Sequence, residues 1–347
     1  MATTTAFRRG VLTAGLGLAG VASALAAGPR IILPTGNRAL LEGRPQAYYM
    51  FVDRTFEGVK TAPWEGGQYG FHRNPKRSGG SLVYSRFHEG IDIRPVKRDG
   101  SGEPLDEVWS SAEGVVAYVN TEARRSSYGR YVVVRHDWAE GPVYSLYAHL
   151  GRTAVRAGQP VRPGSVLGRM GYTGTGIDRR RAHLHFEFNL LLNGEFDAWH
   201  ARHYAEPNHH GAYNGINFAG VDPARFLVRN AGGGGGAWTI RDEVGSAQPY
   251  FRVAVPGRAK MELLHRYPWL RQGSANAKAW EIAFSDSGLP LAVRGIAEVV
   301  TEPRLVWVRP SPHPHSFRTR ARLSGQGGEA KLTKTGREYV ELAAGLF

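Results

Sequence analysis

Short segments in which apolar and polar residues alternate dominate the middle of this chain. Residues 183–188 read His-Leu-His-Phe-Glu-Phe, and residues 143–149 read Val-Tyr-Ser-Leu-Tyr-Ala-His. Side chains of a β-strand point alternately to the two faces of a sheet, so this pattern predicts strands with one apolar face. Residues 115–119 and 131–136 are rich in valine and tyrosine and lie between glycine-containing turns, which predicts further strands. We expect a mainly-β domain with an antiparallel sheet and a groove across one face.

The same alternation groups polar side chains on one face of a single strand. The leucine and phenylalanines of residues 183–188 share the apolar face, and His183, His185 and Glu187 share the other. One strand therefore presents two imidazoles side by side, which a helix would not do because residues two apart do not face each other there. His149 ends the neighbouring predicted strand and can face the same groove.

A His-x-x-x-Asp pair lies upstream, at His88 and Asp92, with Gly90 between them. Zinc accepts both histidine nitrogen and aspartate oxygen at about 2 Å, and a glycine lets the backbone turn so that both side chains converge. An exposed loop can hold such a pair by chance, so the pair alone is weak evidence. Together with the three histidines of the strands, it supplies the ligands of a catalytic zinc site, which keeps a fourth position for water.

Four segments, in this order, resemble the lysostaphin/LytM-type zinc metallopeptidases, which cut peptide bonds in bacterial peptidoglycan. The segments are His-Glu-Gly-Ile-Asp (88–92), Tyr-Ala-His-Leu (147–150), Gly-Tyr-Thr-Gly (171–174) and His-Leu-His-Phe-Glu (183–187). The resemblance implies that His88, Asp92 and His185 bind one zinc ion per chain. It also implies that His149 and His183 form a catalytic pair that does not bind the metal, and which of the two is the general base stays open.

The resemblance covers about residues 80 to 190 and implies an endopeptidase that hydrolyses stem or cross-bridge peptides of peptidoglycan. The alternative is a non-hydrolytic or regulatory relative that binds the cell wall or a partner, although such relatives typically lack a metal ligand. The chain departs from the family at Arg179, Arg180 and Arg181, where small residues or proline usually precede the His-x-His. These arginines can bind substrate carboxylates or form a solvated loop.

Changes of composition divide the chain. Residues 1–26 combine Arg8-Arg9, an apolar run and Ala-Leu-Ala, which predicts an export signal of the Sec or twin-arginine type. Five glycines at 232–236 indicate a flexible linker. The predicted organisation is a signal peptide (1–26), an irregular lead-in (27–79), a zinc metallopeptidase domain (80–229), a glycine-rich linker (230–237) and a C-terminal α+β or β domain of unknown role (238–347).

The amino-acid composition limits the chemistry that the chain can perform and the classes of partner that it can bind. The chain has 347 residues and no cysteine, which excludes disulfides, thiolate zinc sites and cysteine nucleophiles. A net charge of +14 favours an anionic polymer as partner, and the cell wall is one. No nucleic-acid motif is present and no further segment can span a bilayer once the signal is removed. We therefore expect an exported protein that is periplasmic, wall-associated or secreted.

Other histidines suggest a second metal only weakly. Four histidines lie within residues 200–210, at a spacing that fits no metal site we can name, so an ordered loop beside the groove is expected. His72 is expected to be a groove wall or a surface residue. The histidines of the Pro-His-Pro-His segment at 312–315 are expected to be exposed.

Overall fold

The computed structural model describes residue 1 and residues 29–231, 238–273 and 277–347. The five-glycine run and the predicted export signal beyond its first residue lie outside these ranges. Antiparallel strands form most of the regular structure, which confirms the mainly-β prediction. None of the helices within these ranges combines the length and apolarity that crossing a bilayer requires.

Residues 29–87, which span the predicted irregular lead-in and the start of the predicted peptidase domain, contain a short helix and two hairpins. Their elements are α1 (Pro45–Tyr48), β1 (Arg54–Phe56), β2 (Val59–Thr61), β3 (His72–Ser78) and β4 (Ser81–Phe87). The antiparallel pairs are β1 with β2 and β3 with β4. Gly79 and Gly80 join β3 to β4 and both have positive φ, which a two-residue hairpin loop needs and which glycine adopts without strain.

Nine antiparallel strands form the central sheet, which carries the predicted site. The elements of this region are β5 (Ile91–Ile93), β6 (Glu107–Trp109), β7 (Gly114–Asn120), β8 (Arg130–Trp138), β9 (Gly141–Thr153), β10 (Pro160–Val161), β11 (Val166–Met170), β12 (Leu184–Leu191), α2 (Phe196–His203), β13 (Phe218–Val221) and α3 (Pro223–Ala231). The strand order is β10, β7, β8, β9, β11, β6, and β12 pairs with β9, β5 and β13. Strand β12 therefore lies between β5 and β9, which carry the other predicted site residues.

The C-terminal unit mixes helices with a second sheet, as expected for an α+β fold. Its elements are α4 (Ile240–Gly245), β14 (Phe251–Pro256), α5 (Glu262–Arg266), β15 (Arg271–Gln272), β16 (Ala279–Phe284), β17 (Pro290–Ile296), β18 (Arg304–Val308), α6 (His315–Arg318), β19 (Leu323–Gln326), β20 (Glu329–Leu332) and α7 (Lys334–Ala344). Strands β15, β17, β16, β14 and β18 form a five-stranded sheet in that order, and β19 pairs with β20.

The C-terminal unit packs directly on the central sheet. One apolar cluster contains Phe188 of β12, Tyr267 beyond α5 and Leu342 of α7, all fully buried. The Tyr267 hydroxyl donates to the carbonyl of Pro142 at 2.8 Å and accepts from the amide of Leu191 at 2.9 Å. The central sheet and the C-terminal unit thus shield each other's apolar surface from water. The proposed domain boundary at 230–237 stays a prediction.

Expression of residues 29–231 alone should give an aggregating or less heat-stable fragment, because its share of the common apolar cluster would face water. Co-expression with residues 238–347 should restore the full chain's thermal midpoint. As a control, a protease site within 232–236 should give a nicked chain that stays together in gel filtration. A soluble fragment with an unchanged thermal midpoint would contradict this expectation.

Candidate metal centre and active site

Three predicted ligands converge at the junction of β5 and β12. His185 lies opposite Asp92 in this antiparallel pair, and His88 precedes β5. Nε2 of His88 lies 3.1 Å from Oδ1 of Asp92 and 3.2 Å from Nδ1 of His185, and the last two atoms are 3.0 Å apart. Within the part of the chain that the structure describes, no other group of histidine and acidic side chains is arranged to hold a metal ion.

This triangle of atoms fits one face of a tetrahedral metal site. Zinc bonds of about 2.0–2.1 Å at tetrahedral angles separate neighbouring ligand atoms by about 3.3–3.4 Å. Nδ1 of His88 lies 2.9 Å from the carbonyl of Gln68, and Nε2 of His185 lies 2.7 Å from Oε1 of Glu187. Both outer nitrogens donate hydrogen to these oxygens, so Nε2 of His88 and Nδ1 of His185 are the nitrogens that can offer a lone pair to a cation that takes the place of a second proton. The donor set therefore suits a cation that takes nitrogen and oxygen ligands.

Glu187 orients the His185 ring by accepting a hydrogen bond from Nε2, the ring nitrogen outside the triangle. Its buried carboxylate also accepts hydrogen bonds from the Tyr128 hydroxyl at 2.8 Å and from Nδ2 of Asn189 at 2.7 Å. A carboxylate that holds the outer nitrogen of a ligating histidine fixes the tautomer and the ring plane. The sequence places Glu187 on the polar face but gives it no role, although the continued period of two in His-x-His-x-Glu is the signal for one.

Arg73 of β3 holds the other oxygen of Asp92. Its guanidinium pairs with Oδ2 of Asp92, and its Nε donates to the carbonyl of Gly66 at 3.1 Å. Burial alone would raise the pKa of Asp92, but His88 and Arg73 beside it hold that pKa well below its ordinary value. Asp92 is therefore a carboxylate that offers one oxygen to the triangle. Sequence reasoning missed Arg73, because only the packing of the β3–β4 hairpin brings it to the site.

His149 and His183 lie beside the triangle with matching tautomers. Their Nδ1 atoms lie 2.8 Å from the carbonyl of Thr173 and 2.6 Å from the carbonyl of Arg181. A carbonyl only accepts, so Nδ1 carries the hydrogen in both rings and Nε2 keeps a lone pair. The centres of the two imidazole rings are 4.8 Å apart, and Nε2 of His183 lies 3.5 Å from Oδ1 of Asp92. Burial lowers the pKa of His183 to about 4 and that of His149 well below its ordinary value, so both are neutral near pH 7.

The Gly-Tyr-Thr-Gly segment places this pair. Gly171 bridges to His183, and Thr173 supplies the carbonyl that holds His149. Gly174 has a φ of 103°, and a side-chain carbon there would lie 3.1 Å from Nδ1 of His149. His149 itself has a φ of 62°, which is uncommon for a residue other than glycine. A strained backbone held by its surroundings is typical of functional sites.

The cluster is enclosed. His88, Asp92, His149, His183 and His185 are all between 2 and 8% exposed, so the predicted groove is nearly closed around them in this structure. A cavity of about 470 Å³ is lined by Glu89, which follows His88, by Tyr128, which donates to Glu187, and by Arg320, among other residues.

Of the three arginines before His183, Arg179 and Arg180 lie exposed at the surface and Arg181 is half-buried. Arg179 contacts Glu103 at 3.5 Å, and Arg180 forms an ion pair with Asp53. More than half of each of these two arginine side chains is exposed. The acidic partners offset the charge that would otherwise be available to a substrate carboxylate.

The other histidines lie outside the cluster. His200 packs on Tyr204, and His72 lines a separate cavity on the far side of the β3–β4 hairpin. The expectation that His315 is exposed was wrong. It is fully buried, and its Nδ1 lies 2.9 Å from the Tyr250 hydroxyl.

The segment that holds this cluster can be compared with known protein families. Residues 86–196 match peptidase family M23. This segment of the chain is a peptidase family M23 domain. The resemblance to lysostaphin/LytM-type peptidases is thereby confirmed, and the buried His-Asp-His cluster lies inside the matched residues.

Two relatives and one solved structure illustrate the similarity. The peptidoglycan DD-endopeptidase ShyC of Vibrio cholerae is 34% identical over 128 residues, which are 35% of this chain and 24% of the relative. The cell division protein DipM of Caulobacter vibrioides is 38% identical over 100 residues, 29% of this chain and 14% of the relative. The catalytic domain of lysostaphin from Staphylococcus simulans is 19% identical, covering 46% of this chain and 88% of that domain, with a TM-score of 0.28. The chain spans a quarter or less of the length of the two relatives.

The M23 domain depends on a glycine directly beneath His185. A side-chain carbon on Gly90 would lie 2.6 Å from the carbonyl of Phe186 and 2.9 Å from Cε1 of His185. Gly90→Ala should therefore lower the free energy of unfolding by about 1–3 kcal/mol, the usual cost of overpacking. Gly100→Ala is the matched control, because nothing lies within 4 Å of its would-be side chain. Urea titrations that give equal unfolding free energies for the two variants would contradict the close packing at Gly90.

Proposed function

We propose that this protein is an exported, zinc-dependent endopeptidase that hydrolyses peptide bonds in the stem or cross-bridge peptides of peptidoglycan. The observation that carries the proposal is the buried triangle of two imidazole nitrogens and one carboxylate oxygen, with two further neutral imidazoles beside it. The M23 domain and the name of the Vibrio cholerae relative, a peptidoglycan DD-endopeptidase, support it. Export rests on the signal predicted for residues 1–26.

In this proposal His88, Asp92 and His185 hold the metal ion. Zinc, when bound, acts as a Lewis acid on a carbonyl and brings the pKa of a coordinated water to about 7. Glu187 fixes His185 through its outer nitrogen. Arg73 holds the second oxygen of Asp92, so that one oxygen remains for the metal.

His149 and His183 then act on protons. Each is held by a backbone carbonyl at Nδ1 and keeps a lone pair on Nε2, and Nε2 of His183 lies 3.5 Å from Oδ1 of Asp92. A neutral imidazole can accept a proton from the attacking water, and the imidazolium that results can donate to the departing amine. A positioned cation next to the reacting carbonyl also stabilises the charge that develops there.

A non-hydrolytic role that binds wall peptides or a partner is the second candidate. The observation that favours it is the enclosure of the cluster, whose side chains are at most 8% exposed. The names of two relatives, cell division protein DipM and lipoprotein NlpD/LppB homolog, also state no hydrolytic activity.

Metal analysis should separate ligands from the other histidines. Purified protein should contain one zinc per chain, and His185→Ala should lose most of it, since three protein ligands barely suffice. His149→Ala should keep zinc but lose about 10²–10⁴ in rate, as expected for removal of a proton-transfer group. His265→Ala, at an exposed position of α5, is the control and should change neither. Full zinc in His185→Ala, or zinc loss in His149→Ala, would overturn the division of roles.

The bond that is cut should be a peptide bond. Glycoside hydrolases usually place two carboxylates on either side of a sugar bond, whereas the carboxylates here are committed to the metal and to His185. Digests of purified cell wall should therefore release new amino groups without new reducing ends. Chelator should stop the release and added zinc should restore it. New reducing ends with unchanged amine would refute the peptidase, and intact wall with full zinc would favour the binding role.

A further inference from the structure

A cavity of about 560 Å³ lies between the β3–β4 hairpin and helix α6 of the C-terminal unit. We call it the hairpin cavity. Its lining residues are Arg54, Gly70, Phe71, His72, Leu82, Val83, Tyr84, His313, Phe317 and Arg318. On β3, His72 lines this cavity while the next residue, Arg73, reaches Asp92. Because side chains alternate along a strand, the hairpin cavity and the metal cluster lie on opposite faces of β3.

The cavity lining is cationic without an acidic residue. Its positive charge comes from Arg54 and Arg318; two histidines also line it, and none of its lining residues is aspartate or glutamate. Its opposite walls come from different parts of the chain, Arg54 from β1 and Arg318 from α6. Arg318 has a long contact of 3.5 Å with Asp286 outside the cavity, whereas Arg54 has no ion pair among the described residues. The field in the cavity therefore favours an anion.

Arg54 is held in place but lacks hydrogen-bond partners. Its guanidinium carbon lies 5.3 Å from the ring centre of Phe71 and 5.2 Å from that of Tyr84, so two aromatic rings fix it. Its Nε and Nη2 are enclosed and have no partner within the described residues, and the same is true of Nε2 of His72. Enclosed N–H groups without acceptors are costly, so a positioned guanidinium of this kind is typical of a site that an anionic ligand completes.

The other walls are apolar and accessible. Leu82 is 40% and Tyr84 is 42% exposed, although the Leu82 side chain and the Tyr84 ring are large and apolar. Phe317 of α6 covers the opposite side. An inorganic anion would leave this surface in contact with water, whereas a ligand with an apolar group would bury it.

We propose that the hairpin cavity is a second binding site, separate from the metal cluster, for a carboxylate attached to an apolar group, with Arg54 as the residue that pairs with the carboxylate. Small apolar acids and the C-terminal ends of apolar peptides share this chemistry. The proposal does not depend on hydrolytic activity, and its site shares no residue with the metal triangle.

Binding to the full chain can be measured by calorimetry with matched probes. Phenylacetate should bind saturably, and phenylacetamide, which lacks the charge, should bind at least about tenfold more weakly, as loss of a charge-assisted hydrogen bond predicts. Acetate should bind more weakly than phenylacetate because it lacks the apolar group. N-acetyl-Ala-Ala-Phe with a free C-terminus, compared with its amide, tests the peptide source. Whichever of this peptide and phenylacetate binds more tightly identifies the source.

Variants locate the site. Arg54→Met and Arg318→Met, on opposite walls, should each weaken phenylacetate binding by about tenfold or more. Arg77→Met is the control, because Arg77 lies on the same hairpin but pairs with Glu57 outside the cavity. Thermal midpoints establish that each variant is folded, and two independent variants guard against the failure of one. Equal binding of acid and amide, no saturable binding of either, or binding that both cavity variants leave unchanged would overturn the proposal.

Discussion

The pairing of β12 with both β5 and β9 determines where the site chemistry lies. In this register His185 stands opposite Asp92 on one side and Ala148 on the other. A slip of one residue would turn every side chain of β12 to the other face, so the histidines would enter the apolar core and the phenylalanines would enter the polar site. Phe186 and Phe188 are fully buried, and their burial therefore fixes the position of His185.

The electrostatics of the cluster explain why it suits a cation. Of the two buried carboxylates, Asp92 pairs with the guanidinium of Arg73, and Glu187 pairs with His185. Burial alone would lower the pKa of His185, yet hydrogen bonds to Asp92 and Glu187 raise it to about 10. The surroundings therefore favour positive charge at this imidazole, and a divalent ion between the three ligand atoms would supply it in place of a proton. Such a buried arrangement of charges persists only when every member has a partner.

The parts of the site that follow from local periodicity can be predicted from the sequence. Alternation alone predicts that His183, His185 and Glu187 share a face, and the contacts of both histidines with Asp92 and of Glu187 with His185 agree with it. Arg73 could not be foreseen, because it reaches Asp92 through the packing of a hairpin nineteen residues upstream. The enclosure of the cluster and the burial of His315 depend on which segments lie over them, and contacts between distant segments leave no periodic signal in a single sequence.

The C-terminal unit reaches the neighbourhood of the metal cluster as well as the back of the sheet. Arg320 contacts Glu89 at 3.7 Å, and Glu89 directly follows His88. Burial would raise the pKa of Glu89, but Arg320 and the nearby His185 and His88 lower it to about 2. Arg320 and Ala321 both have positive φ, a conformation that side chains other than glycine adopt at a cost. Because the surrounding packing sustains that strained loop beside a predicted ligand, substitutions in the C-terminal unit can alter the cluster without touching any residue of the M23 domain.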